Sequence, residues 1–254
     1  MSQSCHNGRP ECCRALILVN PKAGRGPSPS QLDQLVSILQ RRLGNVVLSA
    51  DLAQVCAQAN DAHHHGRLQA LVGVGGDGTA AELVNRTSPG VPICLYPSGT
   101  SNLLARYLGL RPDPAAVAEA IVDRSLVNLD AGSANGRVFL MMAGCGFDAQ
   151  VVRDVHHRRE QKGGGHLSYW SYAKPILAAI RSYQYPEIQV YCEGAPASTG
   201  LSSTLPWVGR WAFAFNLPLY GWGLPLAYWS DGTDGLLDVC TLQRGSWWHG
   251  LRYL

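Results

Sequence analysis

The sequence predicts an α/β protein in which a doubly wound domain, residues 1–129, precedes a mostly antiparallel β domain, residues 130–254. Two observations carry this prediction. Short apolar runs alternate with segments of helical periodicity through the first half of the chain, and this alternation is typical of parallel strands joined by helices. Beyond about Leu126 the apolar runs follow one another with turn-forming residues between them, which favours antiparallel pairing.

The elements of the first half come in pairs of one strand and one helix. The apolar run "RALILVN" precedes the helical pattern "SPSQLDQLVSILQRRL", with Ser28 as N-cap, Pro29 in the first turn and Gln31 completing a capping box. Three further strands, "NVVLS", "LQALVGVG" and "VPICLYP", precede the helices "DLAQVCAQANDAHHH", "TAAELVNR" and "SNLLARYLGL". Asp113 and Pro114 then begin a helix that runs to about Val122.

The second half has a different rhythm. "LVNLDAG" and "RVFLMMAGCG" are separated by the turn-like "SANG", which predicts an antiparallel hairpin. Helices are expected from Asp148 to about Glu160 and from about Ser168 to Ser182. The runs "PEIQVYCEG", "GRWAFAFNLP" and "GLLDVCTLQ" are typical of strands.

Composition excludes several classes of protein. Hydrophobic residues make up 46% of the chain and charged residues 15%, which supports a large core and disfavours disorder. A net charge of +3 is too small to indicate a nucleic-acid partner. The cysteines form no CxxC pair and no spacing suited to zinc, and no apolar run approaches the ~20 residues of a membrane span. We therefore expect a cytoplasmic protein with at most peripheral membrane contact.

Three of the predicted strands end in loops rich in glycine and small residues: "NPKAGRG" (20–26), "GGDGT" (75–79) and "PSGTSN" (97–102). In a doubly wound sheet, ligands bind at the carboxyl ends of the strands. Backbone N–H groups in such turns and at helix N-termini bind phosphate oxygens, and Lys22 and Arg25 add positive charge to the first loop. Any one loop is equally compatible with an ordinary turn, so the prediction depends on all three.

Asp77 is an acid among the glycines of the second loop. Phosphate repels a bare carboxylate, so an acid here is favourable when it holds a Mg²⁺ ion that bridges to phosphate or accepts a proton from an attacking hydroxyl. The alternative is a helix N-cap, which Asp favours, although Thr79 could also supply a cap. The chain has no GxxxxGK[ST] motif and no GxGxxG motif with an acid some twenty residues further on, so the phosphate site that we predict is of another type.

Four motifs, "LVNPKAGRG", "GGDGTAAELVN", "PSGTSNLLAR" and "GCGFDAQVV", occur in order and are followed by "NLPLYGWGL" and "DGLLDV". With these motifs the chain resembles, from about Arg14 to Val239, the catalytic domain shared by diacylglycerol kinases, sphingosine kinases and bacterial soluble lipid kinases. "GGDG" alone is less specific, because NAD kinases and phosphofructokinases carry it too. The resemblance implies a phosphofructokinase- and NAD kinase-like nucleotide-binding domain, a β-rich lipid-substrate domain, and ATP with Mg²⁺ in the cleft between them.

The resemblance assigns roles residue by residue. The residues that would face the nucleotide are Asn20, Pro21, Lys22, Ala23, Gly24, Arg25, Gly75, Gly76, Gly78, Thr79, Gly99, Thr100 and Asn102. Asp77 would be the central catalytic acid and a metal ligand, and Asp130 in "NLDAG" would support the magnesium network. Asp234 in "DGLLD" matches a structural metal ligand. Asp148 in "GFDA" either faces the lipid head group or caps the following helix.

Three features depart from the family pattern. Many relatives have GTxND where this chain has "GTSNL" at Gly99–Leu103, so one acid of the usual network is missing. Trp222 stands where the family often has glycine. The family usually continues for several dozen residues and supplies a glutamate proposed as general base. We therefore expect this chain, which ends at Leu254 within a helical pattern, to be a C-terminally truncated member that binds ATP and Mg²⁺ but transfers phosphate slowly.

The leading hypothesis is an ATP-dependent lipid kinase that phosphorylates a hydroxyl of diacylglycerol, a sphingoid base or a similar lipid. The alternatives are an NAD kinase-like enzyme, against which "PSGTSNLLAR" argues because it replaces "NxGxLGF", and a nucleotide- or lipid-binding module with little turnover. "RDVHHRREQKGGGH", residues 153–166, either attracts an anionic membrane surface or is a solvated helix face. The expected partner is a lipid at a membrane surface and not nucleic acid, with a homodimer left open.

Overall fold

The computed structural model describes residues 14–20, 26, 28–161, 170–192, 206–221, 223, 224, 226–246 and 248. Within this part of the chain there are two compact units. The first runs to Asn128 and includes Asn135–Val138, and the second comprises Leu129–Ala134 and the described residues from Phe139 onward. Each unit has its own sheet and its own buried core.

The first unit is a parallel sheet with helices on both faces. Its elements in chain order are β1 (Arg14–Val19), α1 (Pro29–Leu43), β2 (Asn45–Ser49), α2 (Leu52–His64), β3 (Leu68–Gly75), α3 (Asp77–Val84), β4 (Ile93–Pro97), α4 (Leu103–Tyr107) and α5 (Pro114–Val122). The strands are parallel and lie in the order β2-β1-β3-β4. This confirms the doubly wound sheet that the alternation of strands and helices predicts.

Buried side chains cover both faces of this sheet. Successive residues of a strand point to opposite faces, so Ile17 and Leu16 of β1 enter different clusters. On one face Ile17 packs in a cluster with Leu35 of α1 and Val117 of α5. On the other face Leu16 packs in a cluster with Val55 of α2 and Leu83 of α3. Because the sheet is covered on both sides, its strands are apolar along nearly their whole length.

Capping signals in the sequence mark where the helices of this unit begin. The Ser28 hydroxyl accepts a 3.3 Å hydrogen bond from the Gln31 N–H, and the Gln31 side-chain oxygen accepts one of 3.1 Å from the Ser28 N–H. The carboxylate of Asp113 likewise accepts a 2.9 Å bond from the Ala115 N–H at the start of α5. Both caps confirm predictions made from short-range sequence pattern.

The second unit combines antiparallel strands with two helices. Its elements in chain order begin with a short strand pair, β5 (Gly132–Ala134) and β6 (Arg137–Phe139), and continue with β7 (Met142–Gly146), α6 (Phe147–Gln161), α7 (Trp170–Ser182), β8 (Ile188–Val190), β9 (Trp207–Gly209), β10 (Trp211–Phe215) and β11 (Asp238–Leu242). An antiparallel sheet has the order β11-β10-β7, and β8 pairs with β9. Among the helices that the structure describes, none combines the length and apolar character needed to cross a membrane.

One expected strand is wrong. The hairpin predicted around "SANG" forms, because β5 and β6 pair on either side of that turn, but "LVNLDAG" forms no strand before Gly132, and Leu126 and Val127 are exposed. The backbone groups of this segment form hydrogen bonds outside a β-ladder. The carbonyl of Asp130 accepts a 2.7 Å hydrogen bond from the side chain of Asn216. The N–H of Asp130 donates a 2.7 Å bond to the Gly232 carbonyl. The apolar residues before Gly132 therefore predicted a buried, paired strand that is not present in the structure.

Candidate functional site

β1 and β3 are neighbours at the centre of the sheet, and the chain continues outward from them in opposite directions, to β2 beside β1 and to β4 beside β3. The carboxyl ends of β1 and β3 therefore lie at the point where the strand order reverses, which is the switch point of the sheet. Ligands of doubly wound sheets bind at such a point. Asn20 follows β1, and its side-chain amide donates a 3.0 Å hydrogen bond to the hydroxyl of Thr79, the last residue of the second predicted loop, which lies in the first turn of α3. Thr79 is buried. This bond joins the first and second predicted loops across the switch point.

Glycine is required where the second and third loops touch. A Cβ on Gly99 would lie 2.6 Å from the Cα of Gly76, and one on Gly75 would lie 2.1 Å from the Thr79 hydroxyl oxygen. Neither distance can accommodate a side chain. The two loops therefore pack backbone against backbone, and the sequence prediction that brought Gly75, Gly76 and Gly99 into one region fits this packing.

Asp77 caps a neighbouring helix. Its Oδ2 accepts a 3.1 Å hydrogen bond from the N–H of Leu103, and its Oδ1 accepts a 3.0 Å bond from the N–H of Leu104. These N–H groups belong to the first turn of α4, whereas Asp77 itself begins α3, whose N-cap is Gly76. The carboxylate thus holds the second and third loops together, and each of its oxygens keeps a further lone pair for another ligand. A catalytic or metal-binding role for it stays a prediction.

Asn102 shapes the third loop. It adopts a left-handed conformation, with φ 48° and ψ 47°, which Asn tolerates better than most residues. Its side chain accepts a 2.9 Å bond from the N–H of Gly99 and donates a 3.0 Å bond to the carbonyl of the same residue. Asn102 therefore fixes the turn that lets Gly99 approach the second loop.

Ser98 is a residue of this loop that sequence reasoning missed. Its hydroxyl is buried and has no hydrogen-bond partner within the part of the chain that the structure describes. Its N–H donates a 2.9 Å bond to the carbonyl of Gly75, which adds a third link between the second and third loops. Buried hydroxyls normally have a partner, so this one marks a place suited to a polar ligand atom. Its position directly after β4 was the available signal.

The other predicted loop residues fall into two groups. Gly78 and Thr100 are exposed at the second and third loops, and a Cβ on Gly78 would meet nothing within 4 Å. Pro21, Lys22, Ala23, Gly24 and Arg25 lie outside the described residues. The exposed backbone at Gly78 leaves room for a ligand to approach the start of α3.

The acids of the first unit fit Mg²⁺ only in combination with a phosphate ligand. Among the described residues, no group of three or more His, Cys, Asp or Glu side chains comes close enough to hold a metal. Among the described residues of the three loops, Asp77 is the acidic one. Mg²⁺ is commonly held by one or two carboxylates together with phosphate oxygens and water, and one well-held carboxylate suits that arrangement.

Asp130 contacts the turn that carries Asp234 in the second unit. The Asp130 carboxylate accepts a 2.6 Å bond from the N–H of Gly235, the residue after Asp234. Asp234 is exposed, and its carboxylate accepts a 2.9 Å bond from the N–H of Leu236. The amide of Asn216, which is buried, also donates to the carbonyl of Leu140 at 2.8 Å. Sequence reasoning quoted the segment that Asn216 begins but gave this residue no role.

Asp148 forms a pair with Tyr220. Asp148 lies in the first turn of α6, and its Oδ1 accepts a 2.5 Å hydrogen bond from the Tyr220 hydroxyl. Burial raises the pKa of Asp148, and the bond from Tyr220 opposes this rise. Burial and the adjacent Asp148 carboxylate raise the pKa of Tyr220. The structure therefore shows a partly buried carboxylate that is bonded to a neighbouring hydroxyl, and it brings in Tyr220, which sequence reasoning had not singled out.

Residues 14–134 match the family model for the diacylglycerol kinase catalytic domain. That segment contains the three loops and Asp130. This part of the chain belongs to the diacylglycerol kinase catalytic-domain family. The resemblance inferred from the motifs is thereby confirmed.

Curated relatives point to the same family. The chain is 32% identical over 178 residues to a probable lipid kinase YegS-like protein of Pseudomonas aeruginosa, a match that covers 68% of this chain and 54% of that protein. It is 29% identical over 191 residues to a diacylglycerol kinase of Bacillus subtilis, covering 71% of this chain and 60% of that kinase. The chain thus spans little more than half of the length of these relatives. A diacylglycerol kinase of Mycobacterium tuberculosis is 27% identical and is covered over 76% of its length.

Solved structures share the fold. A putative diacylglycerol kinase from Bacillus anthracis superposes with a TM-score of 0.68 at 20% identity, over 95% of this chain and 78% of that one. A second Bacillus anthracis structure titled as a diacylglycerol kinase gives a TM-score of 0.65 at 21% identity. These matches confirm the α/β architecture with its separate antiparallel sheet.

Proposed function

We propose that this chain is the catalytic part of an ATP-dependent lipid kinase, which transfers the γ-phosphate of ATP to a lipid hydroxyl. The carrying observation is the joined set of loops at the switch point of the sheet. Asn20 is bonded to Thr79, Gly99 touches Gly76, and Asp77 is bonded to the first turn of α4. Three strand ends are thereby held as one backbone surface, within a segment that belongs to a kinase family.

The loops would bind the nucleotide phosphates mainly through backbone N–H groups. The open side of Gly78 allows phosphate oxygens to approach the start of α3, where the free N–H groups of a helix favour negative charge. The buried hydroxyl of Ser98 would supply a further polar contact. The predicted contributions of Lys22 and Arg25 remain part of this proposal.

Asp77 would be the acid of the reaction site. Its two bonds to α4 fix the carboxylate without blocking the remaining lone pairs, so it can orient a ligand with little reorganisation. Mg²⁺ bound with ATP would neutralise phosphate charge, and Asp77 would hold that ion in place. Asp130 would support this network, and Asp234 would be a structural metal ligand.

The lipid would be recognised in the second unit. Asp148 is partly buried and bonded to Tyr220, so its orientation is fixed before a ligand arrives. The free lone pairs of its carboxylate would accept a hydrogen bond from the lipid hydroxyl and hold that group in position. Peripheral contact with a membrane would follow from such a substrate, and a place in the cytoplasm stays part of this proposal.

The test is a transfer assay with radiolabelled ATP and Mg²⁺ over a panel of acceptors. Diacylglycerol and a sphingoid base are offered in mixed micelles, and NAD is offered in solution. We expect label in a lipid and none in NAD. Label in NAD alone would replace the proposal with an NAD kinase-like activity, whereas nucleotide binding without any transfer would reduce it to a binding module.

A further inference from the structure

Two adjacent aromatic side chains in the second unit face solvent. Tyr228 is 76% exposed, the highest value among the large hydrophobic residues that the structure describes, and Trp229 is 54% exposed. Their rings contact each other edge to face at 4.9 Å between centroids. Tyr and Trp are usually buried or at an interface, because both carry large apolar surfaces. An exposed pair of this kind indicates a surface that another phase or molecule covers.

The turn that carries this aromatic pair is anchored in the core on both sides. Ala227, just before the pair, is fully buried and packs in the cluster that contains Phe213 and Trp211. Ser230, just after it, is buried, and its N–H donates a 2.9 Å bond to the carbonyl of Ala227. The exposure of Tyr228 and Trp229 is therefore built into the fold and does not come from a loose loop.

The distribution of charged residues around the aromatic pair favours a neutral, apolar partner. The segment from Asn216 to Ser230 contains no charged residue and no histidine. Exposed Asp231 and Asp234 follow directly. Acidic neighbours repel phosphate and other anions, so the pair is poorly suited to nucleic acid or to a strongly anionic surface. Rings with an apolar body and a polar tip match the boundary between lipid head groups and acyl chains.

We propose that Tyr228 and Trp229 form a membrane-insertion tip that enters the head-group region of a zwitterionic bilayer. The inference deepens the proposed function, because it requires a substrate that resides in a bilayer. The same uncharged segment carries Tyr220, whose hydroxyl binds Asp148. Insertion of the tip would therefore bring the membrane surface to the segment that holds the proposed lipid-orienting carboxylate.

The first test is sedimentation of the full chain with phosphatidylcholine vesicles, without nucleotide. The double variant Tyr228→Ser/Trp229→Ser is expected to bind roughly tenfold more weakly than the parent, because it loses two interfacial aromatic side chains. The parent's binding should change little with added salt, since apolar insertion is not screened. The matched control is Tyr191→Ser, which removes another exposed tyrosine of the same unit and should bind like the parent.

A second measurement does not depend on a polar variant that could misfold. Brominated phosphatidylcholine should quench part of the tryptophan fluorescence of the parent, and Trp229→Phe should remove that quenched part. Equal vesicle binding by parent and double variant, or equal quenching in Trp229→Phe, would overturn the proposal. A shift from dimer to monomer in the double variant with unchanged vesicle binding would overturn it too, by assigning the pair to a protein interface.

Transfer assays separate this inference from the proposed function. If the double variant phosphorylates lipid in detergent micelles like the parent but acts slowly on vesicles, both stand. If the parent binds vesicles through the tip but transfers phosphate to no acceptor, the insertion tip stands and the kinase proposal fails. If micelle and vesicle activities are equal in both proteins, the tip has no part in reaching the substrate and the inference fails.

Discussion

The carboxylate of Asp77 accepts a 3.0 Å hydrogen bond from the backbone N–H of Leu104, 27 residues further along the chain. An acid that begins one helix is thus the cap of another. This arrangement gives Asp77 two separable functions. It stabilises the junction of the second and third loops, and in our proposal it also holds the reacting groups.

We expect Asp77→Asn to lower phosphoryl transfer by on the order of 10²-fold or more, because the variant loses the negative charge that orients the ion and phosphates. The amide cannot accept from both N–H groups, so the free energy of unfolding should also fall by about 1 kcal/mol. Asp113→Asn is the matched control, since Asp113 caps α5. It should show a similar or smaller stability change with parental activity. Activity of Asp77→Asn within about threefold of the parent would contradict the catalytic assignment.

Gly78→Ala should separate folding from ligand binding. Its Cβ would meet nothing within 4 Å, and Gly78 lies inside α3, so alanine should raise the free energy of unfolding by roughly 0.5–1 kcal/mol. The same methyl group would occupy the space through which phosphate is proposed to approach, so the affinity for ATP should fall. Calorimetry with ATP and Mg²⁺ checks this. A more stable variant with unchanged affinity would assign the open side of Gly78 to an ordinary helix start.

Gly99→Ala is the opposite case. Its Cβ would lie 2.6 Å from the Cα of Gly76 and 2.7 Å from Oδ1 of Asn102, so the loops must move apart. We expect a loss of roughly 1–3 kcal/mol in the free energy of unfolding, typical of a forced backbone shift. Denaturant unfolding of Gly99→Ala beside Gly78→Ala measures the contrast. Equal stability of the two variants would show that the loops do not pack as described.

The Asp148–Tyr220 pair makes stability depend on pH. Burial raises the pKa of Asp148 above its ordinary value of 3.8, so the folded chain binds this proton more tightly than the unfolded chain. The stability of the parent contributed by this group is therefore present at low pH and is lost as pH rises through the raised pKa. The Asp148→Asn variant has no titrating carboxyl at this position, so it does not lose stability in this way as pH rises. Its side-chain oxygen can still accept the hydrogen bond from the Tyr220 hydroxyl. Its free energy of unfolding relative to the parent should thus increase between about pH 4 and neutrality.

Denaturant titrations of both proteins at several pH values check this expectation. Asp33→Asn, at an exposed position of α1, is the control and should show no such trend. A constant difference between parent and Asp148→Asn across the pH range would indicate that the carboxylate is not desolvated in the folded chain.

The basic part of α6 provides a salt-dependent contrast to the aromatic tip. Arg153 and Arg158 are exposed, whereas Lys162 and His166 of the predicted cluster lie outside the described residues. Arg153→Ser/Arg158→Ser should weaken binding to anionic vesicles by about 1 kcal/mol per residue at low salt, and added salt should abolish the difference. Arg41→Ser/Arg42→Ser, at exposed positions of α1, is the control for net charge. If the α6 variant binds anionic vesicles as strongly as the parent does, this helix face is exposed to solvent and has no role in membrane binding.

Local patterns predicted the parts of the fold that depend on near neighbours. The capping box of Ser28 and Gln31 spans three residues, and the strand and helix pairs of the first unit follow directly from apolar periodicity. The glycine-rich loops were also predictable, because a strand end followed by glycine is visible in the sequence.

Relationships between distant residues were not predictable in this way. Asp77 reaches α4 and Tyr220 reaches Asp148 only because the folded backbone brings them together, over 27 and 72 residues of chain. The failed strand before Gly132 has the same cause. Its apolar letters are typical of a strand, but the side chain of Asn216, 86 residues away from Asp130, supplies the hydrogen bond that a neighbouring strand would have supplied.

The contact between Gly76 and Gly99 also limits how this protein can be redesigned. A Cβ at Gly99 would lie 2.6 Å from the Cα of Gly76, and one at Gly76 would lie 3.0 Å from the Cα of Gly99, so a library that varies one loop while keeping the other fixed will sample many steric clashes. The two positions form one mutational unit, and useful diversity has to change both together or lengthen one of the loops. Engineering of ligand preference is therefore better begun at Gly78 and Thr100, which are exposed in the same loops, and a Cβ at Gly78 would meet nothing within 4 Å.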